Sequence, residues 1–86
     1  MSASAIHEFK LSVHARHQMQ ERNILELWIE EALTEPEKLL PFADPHGNTH
    51  YLKRIQNFGD RWLRVVVNPH LIPKRIVTIF FDRRVK

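Results

Sequence analysis

A histidine, a glutamine and an arginine recur one helical turn apart near the start of the chain. At 100° per residue, His14, Gln18 and Arg22 follow the border of an apolar stripe, with Arg22 inside it and His14 at its edge. The stripe consists of Leu11, Ala15 and Met19. An imidazole can transfer protons at neutral pH, and a guanidinium can grip a phosphate. The spacing therefore indicates that His14 transfers protons and that Arg22 binds a phosphate beside it. The alternative is an Arg22 that favours the helix C-terminus and a His14 that makes local hydrogen bonds.

Charge is divided unevenly along the chain. Residues 21–37 contain six acids and one base, whereas residues 53–86 contain nine bases and two acids. This polarity within one small domain predicts a surface that meets a polyanion. A solvated surface of mixed charge is the open alternative.

The basic half has the alternating pattern of β-strands. In the segment 61–68, a period of two places Trp62 and Arg64 on one face, opposite a longer apolar set that should face the helices. Aromatic rings stack on bases and guanidinium groups hold phosphates, so this outer face suits RNA. The same residue types also anchor protein interfaces, which is the alternative. The candidate RNA-binding residues are Tyr51, Arg54, Trp62, Arg75 and Arg83.

Two helices and a series of strands must position these side chains. The patterns predict helices over residues 13–22 and 25–34, and strands over residues 38–43, 49–56, 61–68 and 74–82. Residues 6–10 are a weaker candidate for an edge strand. Short turns between consecutive strands indicate a meander. We expect one α+β domain over residues 1–86, with both helices packed on one face of a three- or four-stranded antiparallel sheet.

Composition excludes several classes of protein. The chain has 86 residues, of which 43% are hydrophobic and 27% charged, and its net charge is +3. It contains no cysteine, which excludes disulfides, cysteine-based zinc sites and thiol catalysis. His46 and His50 have a spacing that can bind zinc, but no third ligand pattern accompanies them. We expect no metal and no other cofactor, no association with a membrane, and a cytoplasmic location.

The segment 13–24 resembles the opening signature of a bacterial family of small domains of unknown function. In that family a helix reads His-Ala, then Met, then Arg-Gly-Ile, and Asn23 stands here where glycine is usual. Residues 29–36 resemble its second helix, residues 51–54 and 63–67 its central hairpin, and residues 76–81 its last strand. The family is similar in element order to the RelE and BrnT type toxins of toxin–antitoxin systems.

The resemblance to RelE-like toxins implies an endoribonuclease that works without a metal. In such a reaction a ribose 2′-OH attacks its own phosphate. His14 would be the general acid or base, and Arg22, Arg64 and Lys53 would stabilise the charge on the phosphorane. The implied partners are RNA, including mRNA on the ribosome, and an acidic antitoxin, with a homodimer as a further option.

Two other functions stay open at this point. A non-catalytic module could hold a protein partner on the Trp/Arg face of the sheet. A helix–turn–helix DNA reader is less favoured, because the acids of the second predicted helix would repel phosphates.

Overall fold

Five strands and two helices make up the part of the chain, residues 8–85, that the computed structural model describes. The helices are α1 (Val13–Glu21) and α2 (Glu26–Thr34). The strands are β1 (Phe9–Leu11), β2 (Lys38–Leu40), β3 (Thr49–Ile55), β4 (Arg61–Asn68) and β5 (Lys74–Phe81). A 3-10 turn at Gln56–Phe58 joins β3 to β4. No helix within this part of the chain is long and apolar enough to cross a membrane.

The strands form one sheet in the order β1-β5-β4-β3-β2. Strands β2 to β5 make an antiparallel meander, and β1 pairs in parallel with β5. The prediction of a three- or four-stranded antiparallel sheet is therefore wrong, because β1 adds a fifth strand and is parallel to β5. Three residues are too few to show a periodic pattern, and the pairing of β1 depends on a segment more than 60 residues away. Residues 6 and 7 of the predicted edge strand lie outside the described residues.

Strand β2 is shorter than the sequence predicts. The predicted strand covers residues 38–43, whereas β2 ends at Leu40. Pro41 follows, and its nitrogen has no hydrogen to donate to a neighbouring strand. Phe42 then takes a positive φ of 52°, which turns the chain away from the sheet.

The helices and one face of the sheet enclose the core. Helix α1 packs against β5 and β1, and α2 packs against β4 and β3. The buried side chains of this core are Ala15, Ile24, Trp28, Ile29, Ala32, Leu33, Ile55, Leu63, Val65, Val67, Ile76 and Ile79. Burial of aliphatic side chains at about 25 cal/mol per Å² is the main stabilising contribution in a domain of this size. We call the opposite side of the sheet the open face.

Helix α1 completes the edge of β5 beyond the three residues that β1 covers. Ser12 caps the helix: its Oγ accepts a hydrogen bond from the Ala15 amide at 3.0 Å and donates to the carbonyl of Val77 at 3.1 Å. Further along, Oε1 of Gln18 accepts from the amide of Ile79 and from the hydroxyl of Thr78, both at 2.8 Å. These side chains make hydrogen bonds to the edge of β5 that a longer neighbouring strand would otherwise make.

The helical wheel predicts that Arg22 lies inside the apolar stripe, and this prediction is wrong. Helix α1 ends at Glu21, and Arg22 is an exposed C-cap residue with φ −106° and ψ 7°. Asn23 then adopts a positive φ of 52°, and Ile24 enters the core in place of Arg22. The wheel fails here because it extends helical geometry past the end of the helix.

Candidate functional site

The open face carries a connected group of ionisable side chains from β3, β4 and the residues that follow β5. It begins in the turn before β3 and continues across the sheet. Its members, which we call the polar cluster, are Asp44, His50, Arg64, Asp82 and Arg84. The alternation that buries Leu63 and Val65 against the helices directs Arg64 to the open face.

Arg64 lies at the centre of the polar cluster. It is opposite Leu52 of β3 and Phe80 of β5, so its guanidinium can reach both neighbouring strands diagonally. Its Nε donates to Oδ2 of Asp82 at 2.8 Å, and its Nη1 donates to Nδ1 of His50 at 2.7 Å. Only 16% of its side chain is exposed. Arg64 is therefore held in one orientation by two different partners.

His50 is hydrogen-bonded through both ring nitrogens. Nδ1 receives the Arg64 donor, and Nε2 lies 2.8 Å from Oδ2 of Asp44. The other oxygen of Asp44 accepts from the backbone amides of His46 and Asn48, so the carboxylate is fixed by its own turn. The hydrogen bond from His50 is the main reason that the pKa of Asp44 is lowered from its ordinary value.

Asp82 joins two arginines at the other end of the polar cluster. Its Oδ2 accepts from Arg64, and Oδ1 accepts from Nε of Arg84 at 3.1 Å. Its side chain is 2% exposed, whereas that of Arg84 is 82% exposed. Hydrogen bonds from Arg84 first, and from Arg64, lower the pKa of Asp82 to about 2 against the desolvation that raises it. Asp82 is thus ionised at neutral pH and holds an exposed arginine, Arg84, beside a largely buried one, Arg64.

A cleft of about 560 Å³ lies over the polar cluster. Its lining includes Lys38, Leu40, His50, Leu52, Arg64 and Arg84. Lys38 makes no ion pair with any residue of the described chain, so its ammonium group is available to a ligand. The cleft therefore combines apolar side chains with three cations and one acid, Asp82.

Trp62 lies beside the cleft with cations near its ring. Nζ of Lys38 is 5.2 Å from the ring centroid, and Cζ of Arg54 is 5.5 Å from it. Glu37 holds Arg54 through a 2.9 Å ion pair, and the Arg54 hydrogen bond lowers the pKa of Glu37. This arrangement can present an aromatic ring together with positive charge.

The four predicted catalytic residues do not form one cluster. Arg64 is on the open face, whereas His14 and Arg22 belong to α1 on the opposite side of the sheet, where both are exposed. Lys53 also faces the helix side, in a second cleft of about 510 Å³ whose lining includes Glu31, Glu35 and Glu37. The catalytic roles of these residues stay predictions.

The predicted RNA-binding residues are also divided between surfaces. Arg54 and Trp62 share the open face, and Arg83 lines a small cleft beside Trp62. Tyr51 points to the core side, where its ring meets Phe9 edge-on at 6.3 Å, and burial raises the pKa of its hydroxyl. Arg75 is exposed near the start of β5, whereas Trp62 lies beside the end of that strand.

Sequence reasoning missed Asp44, His50, Asp82 and Arg84 as members of a site. Strand alternation alone places His50 and Arg54 on one face of β3. It does not say which residue of β4 lies opposite, because that depends on the length of the turn between the strands. The observed register pairs Leu52 with Arg64, and this brings His50 within reach.

The polar cluster can bind an anion and transfer a proton. Lys38 and Arg84 supply accessible cations, Arg64 supplies a positioned guanidinium, and His50 supplies an imidazole held by a carboxylate. Within residues 8–85, no group of three histidine, aspartate or glutamate side chains is arranged to hold a metal ion.

Comparison with known proteins identifies a family. Residues 11–81 match the family described as "Domain of unknown function (DUF4258)". No curated protein and no solved structure gives a significant match. The match supports the resemblance to a family of small domains, whereas the likeness to RelE and BrnT toxins and the bacterial origin stay predictions. Because the matched region covers most of its length, the chain belongs to the DUF4258 family.

Proposed function

We propose that this domain binds RNA on the open face of its sheet and cleaves it without a metal, as a toxin of the RelE-like type does. The observation on which this depends is the coupling of Arg64 to His50 at 2.7 Å on the floor of a cationic cleft. Phosphodiester cleavage by the ribose 2′-OH requires a proton acceptor and a cation near the phosphorane. Arg64 and His50 offer these two groups side by side.

The electrostatics of the open face support an anionic ligand. The acids that contact side chains of this face, Glu37, Asp44 and Asp82, each have a cationic or imidazole partner. Lys38 is left without such a partner in the described chain, and Arg84 shares its acid with Arg64 and is largely exposed. A phosphate that enters the cleft therefore meets cations whose charge is only partly compensated.

The shape of the open face supports a single strand. Trp62 is half-buried, and Lys38 and Arg54 lie over its ring. A nucleobase that displaces one of these long side chains would stack on the ring, and the displaced cation would meet a neighbouring phosphate. Double-stranded RNA would present its bases stacked inside the helix, out of reach of this ring. We therefore propose single-stranded RNA, including mRNA on the ribosome, in the cytoplasm.

The test measures binding of a labelled single-stranded RNA by fluorescence anisotropy over a series of salt concentrations. Affinity should fall steeply with salt, because each phosphate contact releases counterions. Arg84→Ala should reduce the slope of log K against log salt by about 0.7, the contribution of one contact on a single strand. The matched control is Arg16→Ala, an exposed arginine on α1, which should leave the slope unchanged.

Cleavage is then measured on gels, with a chelator present and with RNA either free or on ribosomes. Binding that ignores salt, or an RNA that stays intact under both conditions, would contradict the proposal.

A second candidate, a protein-interaction module, is favoured by one observation. Leu39 and Phe42, on and just after edge strand β2, are 53% and 77% exposed. Clustered exposed apolar side chains mark protein interfaces. If this is the function, Phe42→Ser should abolish binding of the partner, and the salt-dependent binding of RNA should be absent from the wild type.

A further inference from the structure

We propose that His50 and Asp44 are the proton-transfer pair of the RNA-cleaving reaction, with Nδ1 of His50 as the atom that takes the proton. This inference rests on the proposed function and names a residue that the sequence did not indicate. The geometry on which it stands is the chain of contacts from Arg64 through His50 to Asp44.

The two contacts of His50 define the tautomer of its ring. A guanidinium has only donors, so Nδ1, which lies 2.7 Å from Nη1 of Arg64, must accept and cannot carry a hydrogen. Nε2 must then carry the hydrogen of the neutral ring and donate it to Asp44 at 2.8 Å. The lone pair of Nδ1 thus points at the guanidinium that would hold the phosphate.

The carboxylate of Asp44 is held in position before any ligand binds. The backbone amides of His46 and Asn48, at 2.9 and 3.2 Å, fix one of its oxygens, so the other is aimed at Nε2 before any ligand arrives. Asp44 thus places a negative charge on one side of the His50 ring, and Arg64 places a positive charge on the other. When His50 takes a proton, the resulting imidazolium is therefore stabilised by a carboxylate already in position.

A bound phosphate replaces His50 as the acceptor of one hydrogen bond from Arg64. A phosphodiester oxygen is a stronger acceptor than a neutral imidazole, so a bound phosphate takes over the Nη1 hydrogen bond. Nδ1 of His50 is then free beside the phosphate. The phosphate also offsets the charge of Arg64, which otherwise opposes protonation of the neighbouring ring.

The reaction balances as an internal transesterification. The 2′-OH gives its proton to Nδ1 of His50, and its oxygen forms a bond to phosphorus. The bond from phosphorus to the 5′ oxygen breaks, and that oxygen takes a proton from water. The hydroxide left behind removes the proton from His50. The products are a 2′,3′-cyclic phosphate and a free 5′-OH.

Several charged groups surround His50. Asp44 faces it from the preceding turn and Arg64 from β4, and beyond Arg64 lie Asp82 and Arg84. Lys38 of β2 lines the same cleft. An anion that enters the cleft therefore lies among Lys38, Arg64 and Arg84, next to the His50 ring.

The experiment compares RNA cleavage and RNA binding by variants of the full chain. His50→Gln should lower the cleavage rate by a factor of about 100 or more, the usual contribution of a general base. Its RNA affinity should change little, since Arg84 and Lys38 remain. Asp44→Asn should lower the rate and shift its pH profile, because the imidazolium loses its countercharge. His46→Gln, an exposed histidine in the same turn, is the matched control.

A nitrogen NMR measurement keeps the inference testable if His50→Gln does not fold. In the wild type, His50 should show hydrogen on Nε2 and none on Nδ1. Addition of a 2′-deoxy strand, which binds but cannot be cleaved, should shift the Nδ1 resonance, because the phosphate takes the hydrogen bond that Arg64 donates to Nδ1. Hydrogen on Nδ1 in the free protein would overturn the inference.

The outcomes separate this inference from the proposed function. If the wild type cleaves RNA and the His50→Gln and Asp44→Asn variants cleave equally well, the inference is wrong and the proposed function stands. If His14→Ala loses cleavage instead, the base is on α1. If the wild type neither binds nor cleaves RNA, the proposed function fails, and the assignment of His50 fails with it.

Discussion

Nε of Arg64 donates a hydrogen bond to Oδ2 of Asp82 at 2.8 Å, and only 2% of the Asp82 side chain is exposed. The pair spans β4 and the residue that follows β5, on the face of the sheet away from the helices. A charge so shielded from water depends on its partner, because water cannot replace the lost hydrogen bond.

Arg64→Ala should lower the free energy of unfolding by about 1–3 kcal/mol, since it removes the buried partner of Asp82 and the donor to His50. Arg64→Lys should lose part of that amount, because an ammonium group lacks the planar fork that reaches both. Denaturant titrations measure the difference. Arg75→Ala, which removes an exposed arginine from β5, is the control and should stay within about 0.5 kcal/mol of the wild type. Equal stability of Arg64→Ala would show that the pair contributes nothing.

Asp82 should make the protein sensitive to acid. Its pKa is lowered from 3.8 to about 2 in the folded chain, so its contribution is complete above about pH 4 and is lost as the pH falls toward 2. The lost stability should not exceed about 2 kcal/mol, because the exposed Arg84 is screened by solvent. Asp82→Asn should be less stable at pH 7 and should unfold with a shallower dependence on pH in this window.

Circular dichroism of the two proteins between pH 2 and pH 7 tests this expectation. Asp44 and Glu37, whose pKa values are also lowered, should leave part of the slope in Asp82→Asn. Asp60→Asn, which removes an exposed acid for which no ion pair is formed in the described chain, should keep the full slope of the wild type. A slope in Asp82→Asn equal to that of the wild type would count against the role of Asp82.

RNA should quench the fluorescence of Trp62. The chain has two tryptophans; Trp28 is 8% exposed and belongs to the core, whereas Trp62 is half-buried on the open face. A base that stacks on Trp62 changes its emission and leaves Trp28 untouched. Trp62→Phe should therefore abolish most of the RNA-dependent quenching. If quenching persists in this variant, RNA contacts a different surface.

Gln18→Leu should destabilise the fold although it makes the residue more hydrophobic. The substitution leaves the buried amide of Ile79 without its acceptor, at a cost of about 1–3 kcal/mol. Gln20→Leu, at an exposed position of the same helix, is the control and should have little effect on the melting temperature. A melting temperature of Gln18→Leu equal to that of the wild type would show that the edge of β5 does not need this contact.

The sequence predicts much of the fold because its patterns are local. Helices α1 and α2 begin and end within one residue of the predicted bounds, and their ends have visible signals in Ser12 and Pro36. Long-range pairing leaves no such signal. Residues 6–10 are a weak candidate for an edge strand, but the parallel pairing of β1 with β5 has no signal in the sequence. The extra residue Val77, which separates the pairs Val66–Thr78 and Val67–Ile76, also escapes a rule based on a period of two.

The candidate site was harder to predict than the fold. Arg64 and Trp62 could be assigned to an outer face because they lie on a strand with a clear apolar side, whereas each face of the strand that holds Arg54 carries one base and one or two apolar residues. The contact between His50 and Arg64 depends on the register of β3 and β4, which cannot be read from the sequence. The catalytic prediction for His14 and Arg22 depended on a helical wheel, which orders residues around one axis and is silent about the distance to a sheet.

The alternation of β3 and β4 has a consequence for how this domain can tolerate insertions and deletions. One additional residue within β3 would exchange its two faces, so that Tyr51 and Lys53 would point outward and His50 would enter the core. Such a change would destroy the core and the polar cluster together. The turns at residues 41–48 and 56–60 lie between strands, where a change of length can be absorbed without inverting either face. Length variation among natural variants should therefore be confined to those turns, and strand lengths should be invariant.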